Sequence, residues 1–333
     1  MEKTRQKELT WQIEEFMMYC KSKGLRRKTM LSYEQTLRLF ERWCKEEMEI
    51  AYVEEITENV IRHYITELQD RGKYNYCANE QSKICNAPER RRDFRQPLSP
   101  TTINNYLRNL RVFFAWLVED DIIKNSPMRR IKPLKITRNA KEYMSDVDFK
   151  KLIHGLDKSY FSEHRDYAMI VLMLDSGMRL GECSTLLTEQ VDLAHHRIYL
   201  KADDTKGRKD RVVYFSEKTE SILRNWLKFK DRYMDSEFVF PSRTTKSNVN
   251  ISSFETNFKR YLVRFGINQK LTPHCLRNNF AKRCLMNGMD IYTLSKILGH
   301  SSVTITEKAY LDLNVDDIGY RYKNYSPINN MRK

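Results

Sequence analysis

The sequence has no C-x-x-C spacing, no H-E-x-x-H, no glycine loop of the form G-x-x-x-x-G-K-[ST], and no apolar run of about 18 residues. Zinc-ribbon, metalloprotease, nucleotide-hydrolysing and membrane-spanning classes therefore lose their usual signals. No D-x-D cluster is convincingly placed to bind Mg²⁺; Asp146-Val147-Asp148 reads instead as a helix start. The opening MEKTRQKELTWQIEEF lacks the apolar core of a signal peptide, and no lipidation or amphipathic anchor is apparent, so a cytoplasmic location is expected. The seven cysteines (Cys20, Cys44, Cys77, Cys85, Cys183, Cys275, Cys284) are odd in number and mostly sit among apolar helical residues, which predicts buried reduced thiols. Cys77 and Cys85 lie in a polar stretch; a metal pair is the weaker alternative there, since no local His completes a set.

What is present is positive charge. The chain carries 59 Lys and Arg against 44 Asp and Glu, a formal net charge of +15, while 41% of its residues are hydrophobic. This composition belongs to a folded basic protein and favours polyanion partners, nucleic acid ahead of acidic membrane; a merely soluble basic surface is the bland alternative. At 333 residues the chain exceeds the size at which a single core stops growing, so two domains are expected.

The first part, residues 1–125, reads as a helical domain of four helices. Leu9, Ile13, Phe16, Met17 and Cys20 form one stripe stopped by Gly24; Tyr33, Leu37, Phe40 and Cys44 form a second. Thr57 caps a third segment carrying Ile61, Tyr64 and Leu68, and Ser99-Pro100 opens a fourth running through Ile103, Leu107, Leu110, Phe113, Phe114 and Leu117. Between the last two lies a polar insert at about 73–98 with Arg90, Arg91, Arg92 and Arg95, which either contacts phosphates or is simply solvated. Residues 126–142 read as a basic linker with Arg129, Arg130, Lys132, Lys135, Arg138 and Lys141. Such a linker suits a protein that closes around a duplex, the alternative being an ordinary tether.

The second part, 143–313, reads as helices around one small hairpin, with segments near 145–156, 164–176, 179–187, 217–233, 252–265, 274–287, 290–298 and 302–311. HRIYLK and DRVVYF alternate as two antiparallel strands joined by ADDTKGRK. The expected fold class is mainly α with a small antiparallel β-sheet, an α+β second domain following a helical first one. Residues 314–333 form a C-terminal tail.

Four dispersed segments hold the chemistry-bearing residues. SGMRLGE places Arg179 at a helix start with Glu182 one turn on; TKGRKDR puts Lys206 in the hairpin turn. TPHCLRNNFA sets His274 and Arg277 on one helical face, and LSKILGHSSVTITEKAYLDL places His300 after Gly299 and Tyr310 on the next short helix. Each alone reads as a surface pair, an exposed lysine, a capping histidine or an ordinary tyrosine.

Together, in order, spacing and flanking residues across most of 145–313, they resemble the tyrosine recombinase (phage-type integrase) family. Its signature is R-x-x-E, a hairpin-turn lysine, H-x-x-R, and L-G-H with a tyrosine nine or ten residues later. No catalytic position is missing, and the N-terminal bundle resembles the family's core-binding domain. The resemblance implies site-specific cleavage and rejoining of DNA through a 3′-phosphotyrosine on Tyr310, without ATP, metal or other cofactor. Arg179 and Arg277 would hold the charge that builds on the phosphate, His274 would act as base, and Lys206 would protonate the leaving 5′ oxygen. His300 would hydrogen-bond the phosphate, and Glu182 would orient the arginine or the helix rather than react. It further implies double-stranded recombination sites as substrate, a homotetramer on paired sites, an accessory directionality factor, and integration, excision or resolution of a mobile element. The tail would pack on a neighbouring protomer through Leu311, Leu313, Val315 and Ile318. Two rival readings share these features: a type IB topoisomerase-like relaxing enzyme and a DNA-binding regulator that cuts nothing.

Overall fold

The computed structural model describes residues 7–75, 77, 84, 87–136, 142–201, 210–300 and 302–310, with isolated residues at 319, 322 and 328. The chain divides into two compact units, Met1–Arg138 and Asn139–Lys333. The expected class holds: mainly helical, with one small antiparallel sheet.

In the first unit, helices α1 (Leu9–Ser22), α2 (Arg27–Glu47), α3 (Glu58–Asp70) and α4 (Pro100–Glu119) surround an aromatic core. The expected caps are present: the Thr57 hydroxyl accepts from the Val60 N–H at 3.5 Å, and Ser99 Oγ accepts from the Thr102 N–H at 3.2 Å. Phe16 meets Phe113 edge to face at 5.4 Å, and Phe40 meets Tyr64 at 4.9 Å. All four rings are fully buried, each stabilising by roughly 1.5–3 kcal/mol. The buried Asn109 side chain donates to the Ser32 carbonyl and to Thr36 Oγ1, tying α4 to α2.

The polar insert has a closed neck. The Lys73 N–H donates to the Gln96 carbonyl at 2.7 Å and the Arg95 N–H returns to the Lys73 carbonyl at 2.9 Å. Gly72, at φ +71°, has no room for a side chain, since a Cβ would lie 2.6 Å from the Arg95 oxygen. Arg91 stacks over Tyr74 at 4.3 Å. The stretch after α4 is docked rather than free: Met128 and Ile131 are buried in the aromatic core. Asn104 holds both the N–H and the carbonyl of Leu134, at 2.8 and 2.9 Å, and Arg111 donates to the Ile131 carbonyl. Residues 126–136 thus belong to the first unit's surface, while Arg138 and Lys141 lie outside the described residues.

The second unit is built around α6 (Phe161–Ser176), a helix buried on nearly every side. Against it pack α8 (Glu217–Tyr233) and α10 (His274–Met286). Around these lie α5 (Asp146–Gly155), α7 (Leu180–Ser184), α9 (Ile251–Arg264), α11 (Ile291–Leu298) and α12 (Val303–Tyr310). Ser145 caps α5 by accepting from the Asp148 N–H, as the S-D-V-D pattern predicts. The sheet runs β1 (Val191–Asp192), β2 (Arg197–Leu200), β3 (Arg211–Tyr214), all antiparallel, with Ile198 opposite Val213 and Leu200 opposite Arg211. β1 is an addition to the expected hairpin; two residues are too few to show a period. α7 stops short of the expected 187 because residues 186–188 pair with 237–239, the Val239 N–H reaching the Leu186 carbonyl at 2.8 Å. Cys20, Cys44, Cys183 and Cys275 are buried free thiols, and burial pushes Cys44 and Cys275 up to about 12; Cys85 lies outside the described residues. Among the described residues no helix is long and apolar enough to cross a membrane.

Candidate active site

The site forms where α11 ends. Leu294 and Leu298 anchor this helix in the core, and Gly299, at φ +63°, turns the chain out of it. The His300 N–H returns to the Ser295 carbonyl at 3.1 Å and the Gly299 N–H to the Lys296 carbonyl at 3.0 Å, a Schellman closure. A helix end leaves carbonyls without intrahelical partners and concentrates negative potential. Three guanidiniums meet them in succession: Arg211 Nε donates to Ile297 O at 3.2 Å, Arg277 Nη2 to Leu298 O at 2.7 Å, and Arg179 Nη2 to Gly299 O at 3.3 Å. Gly299 is required twice over, by its φ and because a Cβ there would come within 2.8 Å of the Arg211 side chain.

Arg277, only 2% exposed, is locked at its far side by Nη1 donating to the Gly177 carbonyl at 2.6 Å. Gly177 caps α6 at φ +66°, where a Cβ would overlap the Phe280 ring at 2.4 Å. These carbonyl contacts fix the orientation of a buried guanidinium that is charged at any ordinary pH. Its Nη2 also faces His300 Nε2 at 3.2 Å, while His300 Nδ1 lies 2.7 Å from the hydroxyl of buried Thr306. With Arg277 donating to Nε2, the ring proton sits on Nδ1 and points to Thr306, an assignment inferred from the network.

Arg179 is the N-cap residue of α7. Its N–H donates to Glu182 Oε2 and its Nη1 to Oε1, both at 2.8 Å. Glu182 is 3% exposed and is also gripped bidentately by Arg211, at 2.9 and 2.5 Å. Burial pushes the Glu182 carboxyl up, but the Arg211 hydrogen bonds and charge, joined by the Arg179 amide and guanidinium, more than offset it. The group stays below the ordinary glutamate range.

The structure therefore brings Arg179, Glu182, Arg277 and His300 together. His274 is the exposed first residue of α10, one turn before Arg277. Tyr310 is the last residue of α12, the helix that follows His300, and its side chain is outside what is described. Lys206 also lies outside the described residues, as do Leu311, Leu313, Val315, Ile318 and most of the tail. The eight first-unit cations Arg90, Arg91, Arg92, Arg95, Arg129, Arg130, Lys132 and Lys135 are all exposed. Sequence reasoning passed over Arg211 and Thr306. For Arg211 a signal existed: in RVVYF it shares the strand face of buried Val213 and Phe215, and a charge on an inward face calls for a partner.

Residues 142–316 match the Phage integrase family, and residues 13–81 match the Phage integrase, N-terminal SAM-like domain. Similar proteins include a tyrosine recombinase XerC of Thermodesulfovibrio yellowstonii, 28% identical over 215 residues, covering 63% of this chain and 70% of the relative. A tyrosine recombinase XerD of Lacticaseibacillus casei is 25% identical over 303 residues, covering 89% and 92%. Among solved structures, the Tn1549 transposon integrase in complex with a circular intermediate DNA shares the fold at a TM-score of 0.71 and 16% identity. That match covers 96% of this chain and 99% of that one.

Proposed function

The chain belongs to the phage integrase family, the tyrosine recombinases, and from that premise we propose that it cuts and rejoins DNA at specific sites through a 3′-phosphotyrosine on Tyr310. The observation that carries this reading is the Leu298-Gly299-His300 turn. Two arginines selected from the sequence bind its carbonyls, Arg277 also reaching His300, just before the helix that Tyr310 ends.

In the proposed reaction the Tyr310 oxygen attacks phosphorus as its proton passes to a base, for which His274 is the candidate. The bond to the 5′ oxygen breaks, and that oxygen takes a proton from Lys206. Negative charge grows on the non-bridging oxygens, and Arg179 and Arg277 stabilise it more in the transition state than in the ground state. Arg277 is already oriented by carbonyls and spends nothing on reorganisation at that moment. His300 supports a non-bridging oxygen once Nε2 carries a proton, which requires its other tautomer or its charged form. The phosphotyrosine replaces one phosphodiester by another, so attack by a free 5′ hydroxyl restores DNA without ATP.

The substrate in this reading is a pair of double-stranded sites held by four protomers, for a mobile element that integrates, excises or resolves. A directionality factor assists, and the tail 314–333 packs on a neighbouring subunit. The exposed cations of the first unit, Arg90 to Arg95 and Arg129 to Lys135, contact phosphates. A nicked suicide duplex tests the reading. The native chain accumulates a covalent adduct whose peptide map places DNA on Tyr310, and Tyr310→Phe binds the duplex but forms none. An adduct on another residue, or one retained by Tyr310→Phe, overturns it.

A further inference from the structure

Arg211 is assigned no part in the chemistry above, yet it is closely held at the turn. Its side chain is 8% exposed, it takes both oxygens of Glu182, and its Nε meets the Ile297 carbonyl. Arg179, by contrast, keeps 24% of its side chain exposed and shares only Oε1 of that carboxylate through its guanidinium. A single buried glutamate thus faces two arginines of unequal standing. One is enclosed and doubly bonded; the other is open on its remaining side.

Electrostatics makes that inequality consequential. A carboxylate at hydrogen-bond distance from Arg179 in a dry site would cancel most of the field that Arg179 exerts on a phosphate. We propose that Arg211 is a positioning residue that neutralises Glu182, so that Glu182 orients Arg179 without quenching its positive charge toward the scissile phosphate. This rests on the recombinase reading above. The three-group arrangement leaves net positive charge on the exposed member, where a non-bridging oxygen would sit. The depressed pKa of Glu182 agrees with a carboxylate that stays ionised under this double grip.

Arg211 also props the α11 end, so a purely structural role must be separated from a charge role. A double-mutant cycle does this: Arg211→Met, Glu182→Gln and the combined variant, each assayed for DNA affinity and for single-turnover adduct formation on the suicide duplex. The proposal expects Arg211→Met to bind DNA nearly as the native chain does while cleaving roughly ten- to a hundredfold more slowly. It expects the effect to disappear once Glu182 is neutral, with Glu182→Gln and the combined variant cleaving within about threefold of each other. It further expects the Arg211→Met deficit to shrink on a duplex whose scissile phosphate is an uncharged methylphosphonate. Equal losses from Arg211→Met in both Glu182 backgrounds would mean that Arg211 is only a strut, and the proposal falls. Native-like cleavage by Arg211→Met overturns it too. Should Arg211→Met fail to fold with its stranded carboxylate, the comparison of Glu182→Gln with the combined variant still decides. Absence of any adduct from the native chain would instead count against the recombinase reading itself.

Discussion

The two units bury different things. Among the described residues, the interior of the first is aromatic, and its one buried carboxylate, Glu41, is met by Thr10, Arg38 and Lys45, with no Lys or Arg buried beside it. The second buries Arg165, Asp166, Glu182, Lys230 and Arg277. Even these divide. Arg165 is paired with Asp166, which Asn257 and Tyr261 also satisfy, a closed set that holds α6 to α9. Arg277 instead spends its hydrogen bonds on carbonyls and a histidine. Burying ions is costly unless they are paired. The Arg165–Asp166 set therefore reads as structure, while the contacts of Arg277 with two carbonyls and His300 hold its guanidinium at the turn that the proposed chemistry uses.

That contrast can be broken by mutation. The largest effect is expected at the clasp: Arg277→Ala and Arg179→Ala should each slow adduct formation by about 10²–10³-fold while weakening DNA binding far less. Equal loss of binding and cleavage would reduce both to phosphate anchors. In the first unit, Phe113→Ala should lower stability by roughly 3–5 kcal/mol, seen as a lower Tm or denaturant midpoint. Adduct formation by the folded fraction should be unchanged.

A smaller difference should appear with acid. Glu182 has a folded pKa below its unfolded value, so its contribution is present above about pH 4.3 and is lost as pH falls through the depressed folded value. Glu182→Gln should accordingly flatten the acid side of a stability-against-pH curve, and an unchanged acid limb would show the carboxylate uncoupled from folding. The smallest effect is expected at the insert. Replacing Arg90, Arg91, Arg92 and Arg95 by Gln should leave stability near native while reducing the slope of log K against log salt by up to roughly 3.6. No change in slope would remove the insert from the DNA contacts.

The sequence by itself determined the elements and the residue types at the turn. The Thr57, Ser99 and Ser145 caps, the apolar stripes and the R-x-x-E, H-x-x-R and L-G-H spacings are local patterns, set by helix geometry within a few residues. Arg179 with Glu182 was legible for the same reason. Tertiary structure alone decided what those residues hold. Arg277 reaches the carbonyl of Gly177, a hundred positions away, Arg179 that of Gly299, and Arg211 joins Glu182 across 29 residues. No periodicity encodes which distant carbonyl will lack a partner. That follows only when α6, α10 and α11 pack together and leave helix ends that buried donors must satisfy.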